Sequence, residues 1–377
     1  MSDTLLYCTN AFLLSLILIP VGAKIAIRVG LVDVPSSIKT HEGQIPMVGT
    51  ALFAAFLVAV LLLRPEPPRL ADLMLGAGAI VIVGAIDDLF DLRPVTKLAL
   101  QCICVAITVC PHDLLIRDLG LPVTAPAALP HLLAAPLTVF AVVGFINAMN
   151  MIDGLDGLAG SVCLVALAWF GVAAAMLGLP AETLLVLVLG CIVLGFLVFN
   201  FRHAWRPRAA VFLGDAGSMM LGLSLAFIAI DLSQQPVMQL SPIAVLWIFA
   251  LPTIDTLSLL VRRAISGKGA LSSDREHFHD LLHNAGLGVT ATVLLMAGIS
   301  AVLGGVGIAG WLLGVPNEIM LLGLVAPTLL HTWFVLDGHK RQFRLPAAAG
   351  NRVPSPVRVQ MVGVRPQQHP AVGGAQR

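Results

Sequence analysis

The stretch ETLLVLVLGCIVLGFLVFNF, residues 182–201, decides the fold. Its one charged residue is Glu182, at the first position, and only Thr183 and Asn200 add other polar groups, both near the ends. As a helix rising about 1.5 Å per residue it would reach roughly 30 Å, the thickness of a bilayer's hydrocarbon core. Working outward, similar runs recur at 4–29, 46–64, 71–88, 95–112, 132–148, 158–178, 211–231, 241–262, 291–313 and 317–336, about eleven spans in all. Hydrophobic residues make up 58% of the 377 and charged residues 11%, against about 25% charged in soluble domains. Mean hydropathy is +0.94. A soluble core cannot absorb that excess, whereas lipid can. The expectation is an all-α, polytopic transmembrane protein.

Basic residues predict the orientation, because short loops rich in Lys and Arg stay cytoplasmic. One set of alternate loops carries Arg28, Lys39, Arg93, Lys97, Arg202, Arg206, Arg208, Arg262, Arg263, Lys268 and Arg275. The opposite set carries Arg64, Arg69 and Arg117. The N-terminus is therefore expected outside and the C-terminus in the cytoplasm of a cell whose inner membrane holds the chain. The first apolar run follows no basic region and reads as a retained span rather than a cleaved signal. One transmembrane domain is expected over residues 1–337, and a tail at 338–377 whose Pro, Gly, Gln and Arg content predicts disorder. Net charge of +1 gives no electrostatic reason for a nucleic-acid partner. Cys8, Cys102, Cys104, Cys110, Cys163 and Cys191 all sit in or beside apolar runs, and are expected to be free thiols packed as small hydrophobes.

Acidic residues are scarce, yet they gather in the same loops as the basic ones. In IDDLFDLRP (86–94), Asp87 and Asp91 share a helical face by the i,i+4 rule, as do Asp88 and Asp91 by i,i+3. Two carboxylates about 4 Å apart repel by about 4 kcal/mol at an effective dielectric near 20. A divalent cation would relieve that repulsion, and so would ion pairs to Arg93 or Lys97. In INAMNMIDGLDGLAG (146–160), Asn147, Asn150, Asp153 and Asp156 recur every third residue. Oxygen donors at that spacing suit magnesium, and the same residues can cap a polar turn. FLGDAGS (212–218) opens a span, where free N–H groups could hold an anion and Asp215 a shared metal, or the segment is a tight turn with a cap. SDREHFHD (273–280) offers Arg275, His277 and His279 to phosphate oxygens, or forms a solvated loop. Acids for a cation and donors for an anion, all facing one compartment, suit phosphoryl transfer, where catalysis is mostly positioning and charge neutralisation. No Walker-type glycine-rich sequence occurs, so a P-loop ATPase is unsupported.

These loops carry a family likeness. IDDLFDLRP resembles the DDxxD loop of the polyprenyl-phosphate N-acetylhexosamine-1-phosphate transferases, the glycosyltransferase 4 family. NAMNMIDGLDGLAG resembles their NxxNxxDGxDGL loop, FLGDAGS their GDxGS element and HFHD their HxHH loop, while VDVPSSIKTHEGQIPMVG is similar to their first cytoplasmic loop. The order of the loops is most similar to the WecA-like branch. The resemblance implies that undecaprenyl phosphate attacks the sugar-linked phosphorus of UDP-GlcNAc, giving undecaprenyl-diphospho-GlcNAc and UMP, with magnesium or manganese. Such a product begins cell-surface polysaccharide synthesis. It further implies Asn150 and Asp215 as metal ligands, and Asp87 and Asp88 at the lipid phosphate and metal, with Asp87 the candidate base. Asp153 and Asp156 would be catalytic or nucleotide-contacting, with Lys39, His41, Asp91, Asn147, Arg275, His277 and His279 contacting substrate.

Three positions depart from the family pattern. Asp280 replaces the last histidine of HxHH, Ile38 stands where arginine is usual before Lys39, and Thr50 replaces a second glycine after Gly49. A carboxylate beside a diphosphate would repel it, so Asp280 is expected to orient the His277 ring instead. Rival readings are the same reaction with another UDP-amino sugar or with UDP-MurNAc-pentapeptide, a transporter, and a silent scaffold. A transporter predicts internal repeats and ionisable groups at the bilayer midplane, and the apolar runs read as nearly free of charge away from their ends.

Overall fold

A computed structural model gives the fold and describes residues 2–33, 43–63, 67, 69–111, 113–121, 129–235, 239–267, 269 and 277–341. Lys39, His41 and Arg275, and the expected tail beyond 341, lie outside the described residues. The chain runs through α1 (Ser2–Val29), β1 (Val32–Asp33), β2 (Ile45–Pro46), α2 (Gly49–Leu63), α3 (Leu70–Phe90), α4 (Pro94–Val109) and α5 (His131–Ile152). It continues with α6 (Leu158–Met176), α7 (Pro180–Asn200), α8 (Gly214–Ser233), α9 (Pro242–Ile248), α10 (Ala250–Ile265), α11 (Phe278–Asn284), α12 (Val289–Leu312), α13 (Asn317–Gly323) and α14 (Val325–Arg341).

Eight helical segments are long and apolar enough to cross a membrane: α1, α3, α5, α6, α7, α8, α12, and α13 with α14 together. Three of the expected spans differ from this pattern. The α2 and α4 helices have 15 and 16 residues, about 23 Å at 1.5 Å per residue and short of a roughly 30 Å core. The run at 241–262 is broken into α9 and α10, which meet at an angle of 74°. No glycine or proline occupies the corner itself. Phe249 does, stacking on Phe145 at 3.8 Å and edge-on to Phe170 at 5.5 Å between ring centroids. Aromatic packing holds the bend, which hydropathy alone cannot register.

The α8 helix is the centre of the bundle and is buried from Ala216 to Ser233, packed against α2, α3, α5 and α6. Small residues allow this. A Cβ added to Gly84 of α3 would collide with the Ala216 backbone, and one added to Gly49 of α2 with the Gly217 backbone. Such close backbone approach is how helices associate where lipid supplies no hydrophobic drive between them. Thr50, the departure from the family's second glycine, points outward and is exposed, so its side chain is accommodated. Outward faces carry Leu62, Leu132, Phe140 and Leu322, all exposed, as contact with lipid tails requires. All six cysteines are free thiols.

The one sheet among the described residues, β1 paired antiparallel with β2, lies between α1 and α2. Its outer edge accepts the segment before α8: Phe212 donates to the Pro46 carbonyl at 2.9 Å, and Val48 to the Phe212 carbonyl at 2.9 Å. This stitch fixes where α8 begins.

Candidate active site

Asp87 and Asp88 end α3. Asp91 closes the helix in a left-handed conformation (φ 50°), and Pro94 then starts α4, so the chain reverses within a few residues. The reversal brings Lys97 back over Asp87, with Nζ 2.7 Å from Oδ2. The same ammonium lies 2.8 Å from Asp215 Oδ2 at the start of α8, and 3.3 Å from Asn150 Oδ1 near the end of α5. Asn150 also donates through Nδ2 to Asp215 Oδ1 at 2.5 Å and to Ser218 Oγ at 2.9 Å. Asp87 Oδ1 accepts from the Leu92 backbone at 2.8 Å.

Oxygens from three separate segments thus converge on one position, held by a lysine cation. An all-oxygen donor set fits a hard divalent ion such as magnesium. Among the described residues no three His, Cys, Asp or Glu side chains are arranged to hold a metal. A metal here would draw the rest of its shell from amide, phosphate and water oxygens.

Asp88 does something the sequence did not disclose. Its Oδ1 accepts from the Asp215 backbone N–H at 2.8 Å and its Oδ2 from that of Ala216 at 3.1 Å. The helix terminus expected to take a substrate anion is occupied by the protein's own carboxylate, which satisfies the orphan donors and complements the helix dipole. Gly214 supplies the positive φ (69°) that the turn into α8 needs.

Near the end of α5, Asn147 donates to Gln101 Oε1 at 2.7 Å and to the Val143 carbonyl at 2.8 Å, which faces it toward α4. Asp156 is held at 2.6 Å by Arg202 Nε and at 3.1 Å by the Ala209 N–H, so it pins the 201–209 loop. Asp153 is different. Its half-buried carboxylate has no partner among the described residues, and its pKa is raised to about 8, by burial first and then by Asp215, Asp88 and Asp156. Its neutral form is favoured at pH 7 until a cation or a base-bearing ligand arrives.

The imidazoles approach from the other side. The His279 ring is buried and packs against Gly154, where an added Cβ would collide with it. Burial lowers the His279 pKa, a shift only partly offset by Asp280. The His277 and His279 rings lie parallel, 5.4 Å apart. The expectation for Asp280 is corrected here. Its Oδ2 accepts from the His277 backbone N–H at 3.2 Å, and its Oδ1 lies 3.6 Å from His279 Nε2. The His277 ring is held instead by Asp255 of α10, at 3.2 Å from Nδ1. At the first turn of a helix, a carboxylate three residues on reaches the backbone more readily than the ring.

The structure therefore gathers Asp87, Asp88, Asn150, Asp153 and Asp215, with Asn147 and Asp156 behind them and His277 and His279 at the margin. Asp91 stands apart. The left-handed residue ends the helix, so the i,i+4 relation to Asp87 does not carry into space, and its carboxylate is exposed without a partner among the described residues. Lys97 was read only as an ion-pair partner, yet it is the hub. Asp255 was missed, although an acid inside an apolar run is itself a signal.

Comparison with known proteins identifies the family. A family model described as Glycosyl transferase family 4 matches residues 70–233, which include Asp87, Lys97, Asn150, Asp153 and Asp215. An undecaprenyl-phosphate alpha-N-acetylglucosaminyl 1-phosphate transferase of Yersinia pestis is 31% identical over 347 residues, covering 92% of this chain and 93% of its own. One of the same description from Salmonella typhi is 33% identical over 319 residues, 83% and 86% of the two chains. A probable undecaprenyl-phosphate N-acetylglucosaminyl 1-phosphate transferase of Bacillus subtilis is 32% identical over 293 residues, 76% and 80%. With likeness running through nearly the whole of both chains, and the convergent acids inside the matched segment, this multi-pass membrane protein belongs to glycosyl transferase family 4.

Proposed function

We propose that the protein transfers GlcNAc-1-phosphate from UDP-GlcNAc to undecaprenyl phosphate, releasing UMP, with magnesium or manganese as cofactor. One observation carries the reading: Asp87, Asn150 and Asp215, from three segments far apart in sequence, meet around Lys97 in a chain whose relatives are named for this transfer. An oxygen of the lipid phosphate forms a bond to the sugar-linked phosphorus. The bond from that phosphorus to the bridging oxygen breaks, and the bridging oxygen leaves on UMP. Both reactants are anions, so the site's first task is to neutralise charge. Lys97, held between Asp87 and Asp215, supplies a fixed positive charge for the lipid phosphate. Asn150 and Asp215 would hold the metal, which lends further charge neutralisation to the diphosphate when bound. Asp153, whose neutral form is favoured at pH 7, can donate a hydrogen bond to a phosphate oxygen, and Asp87 is the candidate base for any proton the acceptor phosphate brings. Asp88 sets the position of Asp215 through the start of α8, and Asp156 sets the loop beside it. His277 and His279, together with Lys39, His41 and Arg275, contact the donor.

The orientation that suits this chemistry has the site on the cytoplasmic face of the inner membrane, the N-terminus outside and the C-terminus inside. It requires eleven crossings, with α2 and α4 crossing as short helices and α9–α10 as a bent one. The test is purified protein with undecaprenyl phosphate, magnesium and a panel of UDP-amino sugars including UDP-MurNAc-pentapeptide, followed by UMP release. Release with UDP-GlcNAc is expected. Release with another sugar alone would replace the donor, and none with any sugar would sink the reading.

A further inference from the structure

Asp255 lies inside the apolar stretch of α10, 2% exposed, where an uncompensated carboxylate is costly. What compensates it is a set of groups from two other elements. Its Oδ2 meets His277 Nδ1 at 3.2 Å, and its Oδ1 accepts from the Phe278 backbone N–H at 3.0 Å. His331 of α14 brings Nε2 to 3.5 Å of Oδ1, while its Nδ1 is 3.0 Å from Ser258 Oγ, itself 2.8 Å from Thr332 Oγ1. The Phe278 ring then packs on His331 and Phe334, with centroids 4.7 and 5.4 Å away. One buried carboxylate thus joins α10, the start of α11 and α14.

We propose that Asp255 is the positioning residue of His277. A carboxylate only accepts, so the Nδ1 it faces must carry the proton. That choice fixes the ring's tautomer and its rotation about the side chain. Nε2 is left as the one ring atom available to a ligand, as in other sites where a carboxylate orients a histidine from behind. Asp255 also clamps the backbone at Phe278, which sets the entry angle of α11 and, through the stacked rings, the seat of His279 against Gly154. The acid thus holds the histidine side of the site from within the membrane while touching no substrate.

The proposal rests on the transferase reading, and its test separates the two. Turnover is compared among the parent, Asp255→Ala, His277→Gln and the double variant, with amide hydrogen exchange followed across 277–284. Asp255→Ala is expected to lower kcat about 10- to 100-fold, the usual loss when such a supporting partner is removed. In the His277→Gln background the same change should cost at least about threefold less than in the parent, because the part that acts through the ring is gone and only the clamp on the Phe278 N–H is left to lose. Exchange over 277–284 should quicken in Asp255→Ala, while peptides from α3, α5 and α8 keep the parent's protection. Independent, multiplying losses in the double variant, or unchanged exchange over 277–284, would overturn the role of Asp255. A parent without turnover would count against the transferase reading, and the exchange result would still decide Asp255.

Discussion

Replacing Lys97 with methionine keeps the length of the side chain and removes its charge. The ammonium is largely buried, 15% exposed, and lies within 2.8 Å of carboxylates from both α3 and α8. Without it, Asp87 and Asp215, whose carboxyls lie within hydrogen-bonding reach of one another, lose their shared counter-ion. At a charge separation of about 4 Å and an effective dielectric near 20, their repulsion is about 4 kcal/mol. Protonating one of them at pH 7, starting from a carboxyl pKa near 3.9, also costs about 4 kcal/mol. Either route puts the loss at up to about 4 kcal/mol, within the range for breaking a buried pair by deleting one partner. Millimolar magnesium should restore part of that loss, because a divalent ion can settle among the same oxygens. The assay is thermal unfolding of the purified protein in EDTA and in magnesium, with UMP release measured alongside. Expected are a lower midpoint for Lys97→Met in EDTA, a larger rise with magnesium than the parent shows, and turnover reduced by about 100-fold or more. A variant that unfolds like the parent in EDTA would refute the reasoning, since the lysine would then not be what neutralises the acids.

Other expectations follow from the same geometry. Asp88→Ala leaves the Asp215 and Ala216 N–H groups without their acceptor; it should cost about 1–2 kcal/mol by denaturant unfolding and most of the turnover. Gly154→Ala would drive a Cβ into the His279 ring, and a misplacement of about 1 Å is worth up to about 100-fold in rate; a kcat near the parent's would show that His279 has no fixed seat. Asn150→Ala and Asp215→Asn should abolish UMP release while the protein still inserts and purifies, and excess magnesium should not bring activity back. In intact cells, a membrane-impermeant thiol probe should label Gln235→Cys from outside and spare Trp205→Cys; the reverse pattern would invert the proposed orientation.

Much of this was legible in the sequence, for identifiable reasons. Hydropathy located each long helix because lipid demands an apolar run of fixed length, and it placed the acid-bearing loops at helix ends. Local spacing could not say which groups meet. Asp87 and Asp91 share a helical face only while the helix continues, and it stops at Phe90. Asp88 finds its partners at Asp215 and Ala216, more than a hundred residues away, through a helix start set by the Phe212 stitch to β2. Hydropathy averages over a window, so the corner at Phe249 was invisible and Asp255 was diluted by its apolar neighbours.

The burial of α8 on every face from Ala216 onward has a consequence for anyone mapping this protein by saturation mutagenesis and selection. On most helices a scan separates roles by face, since tolerant positions mark the outer side and intolerant ones the functional side. No outer side exists here. Substitutions at Gly217 or Gly222 would score as damaging for want of space, alongside Asp215 and Ser218 for want of their oxygens. A tolerance map of this helix would be uniformly dark, and reading it as an extended catalytic surface would mistake steric exclusion for chemistry. Protein abundance, measured for each variant beside growth, would tell the two apart.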